Sequence, residues 1–282
     1  MPNNYLITNN LICFHQFGYK KNLCTSDALA EFADLAYDSI NANHKFIAIY
    51  LDFSKAFDTV HYEILLKKLD HIGIRGNVNK WFETFLTERR HFVALGDEKS
   101  SEYVTNIGVP QGAVLAPLLF LIYINDMFKS CPKLELIHYA DDTTAFVRGN
   151  NLLGLEELVN EELSSINIWL QCNTLTLNIE KSSYMIFSHN ETFLNININN
   201  IILQKVQKTK FLGIVFDCNL SFKFHYEEVL SKVSRVAGLT HRSRNLVPKA
   251  VLKTLYLSLG WSHISYGIVI WGMSSQTYRK KM

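Results

Sequence analysis

The sequence has little cysteine and little proline, and these shortages narrow the class of protein. Five cysteines and five prolines are spread over 282 residues. The cysteines form no Cys-x-x-Cys pair and show no zinc-ligand spacing. This argues against a disulfide framework or a zinc domain and favours reduced thiols inside a cell. The cysteines are Cys13, Cys24, Cys131, Cys172 and Cys218.

Long apolar runs and an N-terminal targeting segment are also missing. The longest uninterrupted apolar run, residues 113–124, is too short to cross a bilayer. Residues 1–4 carry no basic region of the kind that opens a signal peptide. We therefore expect an intracellular protein with no membrane contact. The sequence does not decide between nucleus and cytoplasm, and it leaves the oligomeric state open.

Charge is unevenly distributed, although the net charge is only +2. Residues 1–204 contain 15 Lys and Arg against 23 Asp and Glu, whereas residues 205–282 contain 13 against 3. The two segments thus carry net charges of −8 and +10. The basic segment also contains two helical patterns and is suited to a phosphate backbone, although a solvated face would have the same composition.

Two adjacent carboxylates in a strand-like run form the first candidate site. Asp141 and Asp142 follow the apolar residues at 134–137 and precede a strand pattern at 143–147. Adjacent side chains of a strand point to opposite faces, so we expect the pair at the tip of a β-hairpin. An Asp-Asp pair is most often a solvated turn. Carboxylates among apolar residues are costly without a cation, however, which predicts a metal site here.

A third carboxylate, Asp52, ends an apolar strand at residues 46–51. It could cap the helical pattern that follows, since Asp is a favoured N-cap residue. It could equally supply a ligand to the metal predicted at Asp141 and Asp142. The second interpretation is favoured by the Asp-Asp pair downstream, because Mg²⁺ prefers hard oxygen ligands such as carboxylates.

Hydrophobic periodicity predicts most of the remaining elements. We expect two helices between residues 55 and 92 and a hairpin whose loop is at 96–101. Further helices are predicted at 28–41, 115–127, 152–171, 225–240 and 248–259, and strands at 181–187 and 210–216.

Three segments together resemble the signature blocks of reverse transcriptases. They are residues 50–60, which begin Tyr50-Leu51-Asp52, residues 108–117, which read Gly-Val-Pro-Gln-Gly-Ala-Val-Leu-Ala-Pro, and residues 139–142, which read Tyr-Ala-Asp-Asp. The second block is similar in form to that of non-LTR (LINE-like) retrotransposons. Further similar blocks at 15–29, 175–187 and 210–217 extend the resemblance over roughly residues 14–272.

The resemblance implies an α+β fold, namely a right-hand polymerase palm with an antiparallel sheet packed on helices, partial fingers and a helical thumb. It divides the chain into partial fingers at 1–45, a palm with interleaved finger elements at 46–204, and a primer-grip strand with a basic helical thumb at 205–282. We expect the fingers to be truncated at the N-terminus and the thumb at the C-terminus.

The resemblance also implies an activity, RNA-directed DNA polymerisation. Such an enzyme extends a DNA primer with dNTPs on an RNA template by nucleotidyl transfer. Two Mg²⁺ ions, with Mn²⁺ as an alternative, activate the attacking oxygen and stabilise the leaving one. The metal ligands implied are Asp52, Asp141, Asp142 and the backbone carbonyl of Phe53.

Other site residues follow from the same resemblance. Lys181 is implied as a catalytic general acid near the pyrophosphate. Phe57 is implied to block a ribose 2′-hydroxyl, and Gln111 to lie under the nucleotide. Lys20, where the family usually has Arg, is implied to contact the triphosphate, without the bidentate geometry of Arg. Primer and template contacts are implied for Gly112, Tyr139, Phe211, Leu212, Gly213, Arg235, Arg242 and Lys249.

Three other functions use some of the same features. A group II intron-type maturase shares the palm motifs, but the form of residues 112–117 favours a retroelement. A catalytically silent nucleic-acid-binding remnant would keep the motifs as relics, and the missing finger elements support it. A metal-dependent nuclease could use three carboxylates, but no further acidic or histidine cluster accompanies them in the sequence.

Overall fold

The central element is a five-stranded sheet whose middle strand is the apolar strand predicted before Asp52. The computed structural model describes residues 5–6, 9, 11–87, 89–187 and 193–272. The strands of the sheet are β1 (Lys45–Leu51), β6 (Glu135–Tyr139), β7 (Asp142–Gly149), β8 (Ser183–Phe187) and β11 (Gln204–Lys205). Their order across the sheet is β11-β8-β1-β7-β6, and β11 pairs with β8 in parallel while the other pairs are antiparallel.

Helices and short hairpins surround this sheet. The α-helices are α1 (Thr25–Asn41), α2 (Tyr62–His71), α3 (Gly76–Leu86), α4 (Ala116–Ile124), α5 (Leu152–Cys172), α6 (Lys223–Ser243), α7 (Lys249–Leu255), α8 (Ser262–Ser265) and α9 (Ile268–Trp271). The two-stranded pairs are β2 (Arg89–His91) with β5 (Tyr103–Thr105), β3 (Ala94–Leu95) with β4 (Glu98–Lys99), β9 (Asn197–Ile198) with β10 (Ile201–Ile202), and β12 (Lys208–Phe211) with β13 (Ile214–Asp217). Short 3₁₀ turns occur at Ala56–Asp58 and Met127–Ser130. Among the described helices, none combines the length and apolarity needed to cross a membrane. The α+β prediction is confirmed.

The sheet is buried on both faces, which explains why β1 is apolar throughout rather than alternating with polar residues. Ile47 and Ile49 belong to a core that also contains residues of α2, α4 and α5. Phe46 and Ala48 point to the opposite face, where the core includes α1, the β12–β13 hairpin and α6. Because successive side chains of a strand alternate between faces, one strand supplies both cores.

On the first face, a half-buried lysine joins three helices. The ammonium of Lys68 on α2 donates to the carbonyl of Tyr123 at 2.5 Å and forms an ion pair of 2.7 Å with Asp126. It also lies 5.1 Å from the ring centre of Tyr123 and 5.0 Å from that of Trp169 on α5. Burial lowers the pKa of Lys68, whereas its bond to Asp126 acts in the opposite direction and favours the charged form.

On the second face, Phe32 of α1 is the centre of an aromatic cluster. Its ring centre lies 5.8 Å from that of Phe46, 5.3 Å from that of Phe211 and 5.2 Å from that of Phe216. Phe146 and Phe187 are within 6.2 Å of it as well. Edge-to-face contacts of this kind add to the burial of large apolar area. The cluster therefore fixes α1 and the β12–β13 hairpin to the sheet.

The strand predicted at 210–216 is instead this hairpin. Leu212 and Gly213 separate β12 from β13 and have φ values of 44° and 87°. Positive φ values interrupt a strand and favour glycine at the turn. Asp217 ends the hairpin and fixes the turn that leads into α6, because its carboxylate accepts hydrogen bonds from the backbone N–H groups of Ser221 at 3.1 Å and Phe222 at 2.7 Å.

Other element boundaries also differ from the predictions. The first helix begins at Thr25, three residues early, because Asp27 accepts a hydrogen bond from the backbone N–H of Cys24 in a capping box. The hairpin predicted around 96–101 is two separate pairs, β3 with β4 and β2 with β5. The helix predicted at 248–259 changes at Tyr256–Trp261 into a π-helix, which spacing alone does not reveal.

We predict that Phe32→Ala lowers the free energy of unfolding by about 3–5 kcal/mol, the usual cost of emptying a large aromatic site in a core. Phe14→Ala is the matched control, because Phe14 is 78% exposed and should change the stability by less than about 0.5 kcal/mol. Urea unfolding followed by circular dichroism measures both variants. Equal effects of the two substitutions would contradict the central role of Phe32.

Candidate active site

The pairing of β1 with β7 places two of the predicted carboxylates at the same end of these strands. The last pair in this antiparallel ladder is Leu51 with Thr143. Asp52 and Asp142 are the next residues beyond this pair, and both line one cleft. The β6–β7 ladder ends at Tyr139 with Asp142, which leaves Ala140 and Asp141 as a two-residue turn. All three carboxylates are therefore at one end of the sheet, and the predicted hairpin is confirmed.

Asp52 and Asp142 line a cleft of about 120 Å³ at this end of the sheet. Lys181 lies in the same lining, and so do residues of the β12–β13 hairpin. The full lining is Tyr50, Leu51, Asp52, Asp142, Thr143, Thr144, Lys181, Thr209, Lys210, Phe211 and Leu212. Asp141 is outside this lining, on the exposed turn. The structure thus brings together Asp52, Asp142, Lys181, Phe211 and Leu212 from the predicted site.

The backbone at Asp52 is fixed by the loop that carries Lys181. The N–H of Asp52 donates to the hydroxyl of Ser182 at 3.1 Å, and the N–H of Asn178 donates to the Asp52 carbonyl at 2.8 Å. The hydroxyl of Ser182 in turn donates to the Asn178 carbonyl at 2.9 Å. Phe53, only 6% exposed, is bridged to Leu177. The buried ring of Phe53 is therefore not accessible to a ligand.

The turn that carries Asp141 has an unusual backbone. Ala140 has a φ of 59°, in the left-handed region that costs a non-glycine residue about 1 kcal/mol. Such conformations persist only where the surroundings hold them. On the strand before the turn, the buried ring of His138 is hydrogen-bonded to the hydroxyl of Thr143 at 2.8 Å. Burial lowers the pKa of His138 to about 4, so this ring is neutral at pH 7.

The carboxylates repel one another. Asp142 is exposed at the mouth of the cleft, yet partial desolvation by the surrounding protein raises its pKa, and the charges of Asp141 and Asp52 raise it further. In the described ranges, no Lys, Arg or His forms an ion pair with any of the three. An all-oxygen, uncompensated donor set of this kind fits a hard divalent cation.

The arrangement is nevertheless not a closed metal cage. Within residues 5–6, 9, 11–87, 89–187 and 193–272, no three His, Cys, Asp or Glu side chains are grouped so that they could hold an ion by themselves. A cation here would therefore depend on a substrate or water for some of its ligands, which is usual for Mg²⁺. The three-carboxylate site stays a prediction.

Two hydrogen bonds join the segment that carries Phe57 to the segment that carries Gln111. The N–H of Val109 donates to the carbonyl of Phe57 at 2.8 Å. The half-buried ring of Phe57 stacks on Phe120, with ring centres 4.5 Å apart. Gln111 is exposed, and its side-chain amide donates to Asp58 at 2.8 Å. Gly112 has a φ of 82° and open space beside its Cα, so backbone can approach a ligand closely there.

Lys20 lies elsewhere. It lines a larger cavity of about 1030 Å³ formed by residues 11–15, α2 and the end of α4. Its ammonium is 5.8 Å from the ring centre of Phe14. The structure therefore does not bring Lys20 to the cleft of Asp52 and Asp142, and its predicted contact with a triphosphate stays a prediction.

The remaining predicted contacts lie on the hairpin and on the basic helices. Gly213 is held by Tyr266, whose hydroxyl donates to the Leu212 carbonyl at 2.6 Å. Arg235 and Arg242 are exposed on α6 and border a groove of about 530 Å³, whereas Lys249 is exposed at the start of α7. The ring of Tyr139 is half-buried against the second core, and burial raises its pKa.

Several residues that position the site were missed by sequence reasoning. Ser182 and Tyr266 act through single hydrogen bonds to backbone groups distant in sequence, which no local pattern reveals. Asp58, which accepts the hydrogen bond of Gln111, has a possible sequence signal, since it is a second carboxylate six residues after Asp52. Gln16 is buried and its side-chain oxygen accepts from the Ala140 N–H at 3.4 Å. Its position between His15 and Phe17 gives no distinct local signal.

Comparison with known proteins agrees with the geometry. A family model described as reverse transcriptase (RNA-dependent DNA polymerase) matches residues 3–216. The RNA-directed DNA polymerase from mobile element jockey of Drosophila melanogaster is 25% identical over 279 residues, which cover 95% of this chain and 30% of that protein. The probable RNA-directed DNA polymerase from transposon X-element of the same organism is 24% identical over 287 residues, with the same coverages. The chain spans about a third of these relatives.

Solved structures share the fold. Apo telomerase from Candida tropicalis superposes with a TM-score of 0.54 and 13% identity, over 99% of this chain and 51% of that one. Telomerase from the same organism in complex with a TWJ fragment of telomeric RNA gives 0.53 and 12%, over 77% and 35%. At such identities the likeness concerns the fold alone, and it confirms the predicted α+β polymerase palm.

Proposed function

The chain belongs to the reverse transcriptase family, and we propose that it extends the 3′-hydroxyl of a DNA primer with dNTPs along an RNA template, as part of a non-LTR retrotransposon polymerase. The observation that carries the proposal is that Asp52 and Asp142 lie in one cleft that Lys181 and Phe211 also line. A carboxylate pair, the ammonium group of Lys181 and the hairpin implied to hold the primer thus lie together at one end of the sheet.

We propose that Asp52, Asp141, Asp142 and the carbonyl of Phe53 hold two divalent cations, Mg²⁺ or Mn²⁺. When bound, such cations favour deprotonation of the attacking hydroxyl and neutralise charge on the phosphates. The carboxylates are suited to this role because they supply only oxygen ligands from two adjacent strands. Burial and their mutual repulsion raise the pKa of Asp142, and positive charge would relieve the repulsion.

Lys181 would protonate the leaving pyrophosphate. Its backbone is fixed where its N–H donates to the Asn178 carbonyl at 3.2 Å, in the loop that also holds Asp52. Its side chain is exposed in the cleft and forms no ion pair with a described residue. A positioned ammonium of this kind can serve as a general acid for a developing phosphate anion.

Phe57 and Gln111 would select the nucleotide. The stacking of Phe57 on Phe120 limits its freedom, so the ring can exclude a 2′-hydroxyl by steric conflict. Gln111 uses its amide N–H to bond Asp58, which leaves its side-chain oxygen available to a ligand donor. Gly112 beside it would let the backbone approach the template base.

The primer and template would lie between the β12–β13 hairpin and the basic helices. Residues 205–282 carry a net charge of +10, which supports contact with phosphates. Phe211, Leu212 and Gly213 would contact the primer near the cleft, with Tyr139 beside its end. Arg235, Arg242 and Lys249 would contact the backbone further away. On this proposal residues 1–45, 46–204 and 205–282 correspond to partial fingers, palm and thumb.

Primer extension tests the central proposal. Asp142→Asn should lower kcat at least about 100-fold, because a metal ligand worth several kcal/mol in the transition state is lost. Primer–template affinity should change little. Asp97→Asn, at the exposed β3–β4 turn, is the matched control and should extend primers like the original chain.

Two outcomes of this experiment contradict the proposal. Unchanged extension by Asp142→Asn would remove the carboxylate from the chemistry. Tight primer–template binding without any extension by the original chain would instead favour the catalytically silent remnant.

Phe57→Ala should raise the ratio of kcat/KM for rNTP to that for dNTP at least about 10-fold, since one steric conflict of 1–2 kcal/mol is removed. Phe57→Tyr keeps the ring and should preserve the selection. Single-nucleotide incorporation on an RNA template measures both ratios. A ratio that does not change in Phe57→Ala would assign sugar selection to another residue.

Arg235→Gln and Arg242→Gln should each reduce the slope of log affinity against log salt by about one unit. For each phosphate contact that is lost, binding of the primer–template releases about one counterion fewer. The loss should be similar for primer–templates of different sequence. Arg75→Gln is the control, since Arg75 is exposed but lies 3.7 Å from Asp70, away from the basic helices. Fluorescence anisotropy at several salt concentrations gives the slopes, and equal slopes for all three variants would contradict a phosphate contact.

A further inference from the structure

Residues 15–18 run beside the edge strand β6 and end against the turn that carries Asp141. The N–H of Phe17 donates to the His138 carbonyl at 2.8 Å, and the N–H of His138 donates to the His15 carbonyl at 2.9 Å. A parallel bridge between residues 16 and 138 results. The segment is therefore fixed to the strand that leads directly into the turn.

Gln16 and Gly18 contact the turn itself. The side-chain oxygen of Gln16, which is 3% exposed, accepts from the N–H of Gly18 at 2.8 Å and from the N–H of Ala140 at 3.4 Å. Two buried backbone donors thus depend on one side chain, and its loss would leave both without a partner.

Gly18 is required for its small size. A Cβ at this position would lie 2.5 Å from the backbone nitrogen of Ala140 and 3.1 Å from the carbonyl carbon of Tyr139. The φ of Gly18 is outside the left-handed region, so backbone conformation does not demand glycine here. Glycine is required because the backbones of the two segments approach each other closely.

We propose that Gln16 and Gly18 are positioning residues that set the place of Asp141 and Asp142. The inference rests on the proposed function, in which these carboxylates bind the cations. Ala140 has a positive φ although it is not glycine, so contacts outside the two-residue turn must hold that conformation. The side-chain oxygen of Gln16 accepts a hydrogen bond from the Ala140 N–H, and the absence of a side chain at Gly18 lets the backbone of the turn pack against it.

This role differs from the one that the family resemblance gives to the same segment. That resemblance assigned a contact with the triphosphate to Lys20, which instead lines the larger cavity. The segment contributes to the cleft through buried contacts with the backbone of the turn. Displacing the turn would change the separation between Asp142 and Asp52 without removing either carboxylate.

The test measures Mn²⁺ binding to the full chain by electron paramagnetic resonance of the free ion, together with primer extension. Gln16→Met keeps the length of the side chain but has no acceptor oxygen. We expect its Mn²⁺ dissociation constant to rise about 10-fold and kcat to fall about 10-fold, as is usual when a residue that orients metal ligands is lost. The KM for dNTP should stay within about twofold. Gln16→Glu restores the acceptor and should return the dissociation constant to within about threefold.

Matched variants separate positioning from general stability. Gly18→Ala should weaken Mn²⁺ binding like Gln16→Met, because its Cβ must displace the turn. Gly154→Ala is its control, since a Cβ there meets no atom closer than 3.6 Å. Asn160→Leu removes a comparable bond on α5, where the amide oxygen accepts from the Asn197 N–H at 2.9 Å. It should lower the Tm without changing Mn²⁺ affinity.

Three outcomes would overturn the inference. The first is equal loss of Tm in Gln16→Met and Asn160→Leu with unchanged Mn²⁺ affinity and kcat. The second is a Gln16→Glu variant as defective as Gln16→Met. The third is an original chain that binds Mn²⁺ no better than Asp142→Asn does, which would overturn the proposed function as well. An original chain that binds Mn²⁺ but extends no primer would overturn the proposed function alone, and the Mn²⁺ titrations would still decide the role of Gln16.

Discussion

The register between β1 and β7 is the constraint on which the rest of the site depends. Leu51 pairs with Thr143, so Asp52 and Asp142, which are 90 positions apart in the sequence, lie next to this pair at the same end of the two strands. A slip of one residue would turn one carboxylate to the other face of the sheet. The slip would also exchange the side chains that β1 places in the two cores, among them Ile47 in the first and Phe46 in the second. Core packing and chemistry are therefore specified by the same hydrogen-bond ladder.

The two cores contribute differently to the site. The first, with α2, α4 and α5, fixes the sheet from one side and includes Phe120, on which Phe57 stacks. The second, centred on Phe32, attaches the β12–β13 hairpin, and Phe211 belongs both to this core and to the lining of the cleft. One wall of the cleft is thus an extension of the second core.

The sequence predicted the sheet and the carboxylates better than the loops around them. The predictions of the strand before Asp52 and of the hairpin at Asp141 are correct because the apolar patterns there are long. The polar Asp-Asp pair is also the only interruption at which the second pattern can turn. The 210–216 segment is wrong as a single strand, because Leu212 and Gly213 form a turn with positive φ values, to which Tyr266, 54 residues after Leu212, donates a hydrogen bond. The contacts of Gln16 and Ser182 were missed for the same reason, since each joins a side chain to the backbone of a distant segment.

The attachment of the β12–β13 hairpin to Phe32 limits how such proteins can exchange segments. Phe211 and Phe216 are 4% and 0% exposed, and β11 pairs with β8 at the edge of the sheet. A recombination junction at residue 204 would separate these side chains from Phe32, against which they pack. A junction after Asp217 would instead pass between the hairpin and α6, leaving Phe32 with the rings of Phe211 and Phe216 and separating only the contact of Phe216 with Phe222. Natural or engineered chimaeras with a foreign set of basic helices are therefore expected to inherit the hairpin together with the sheet.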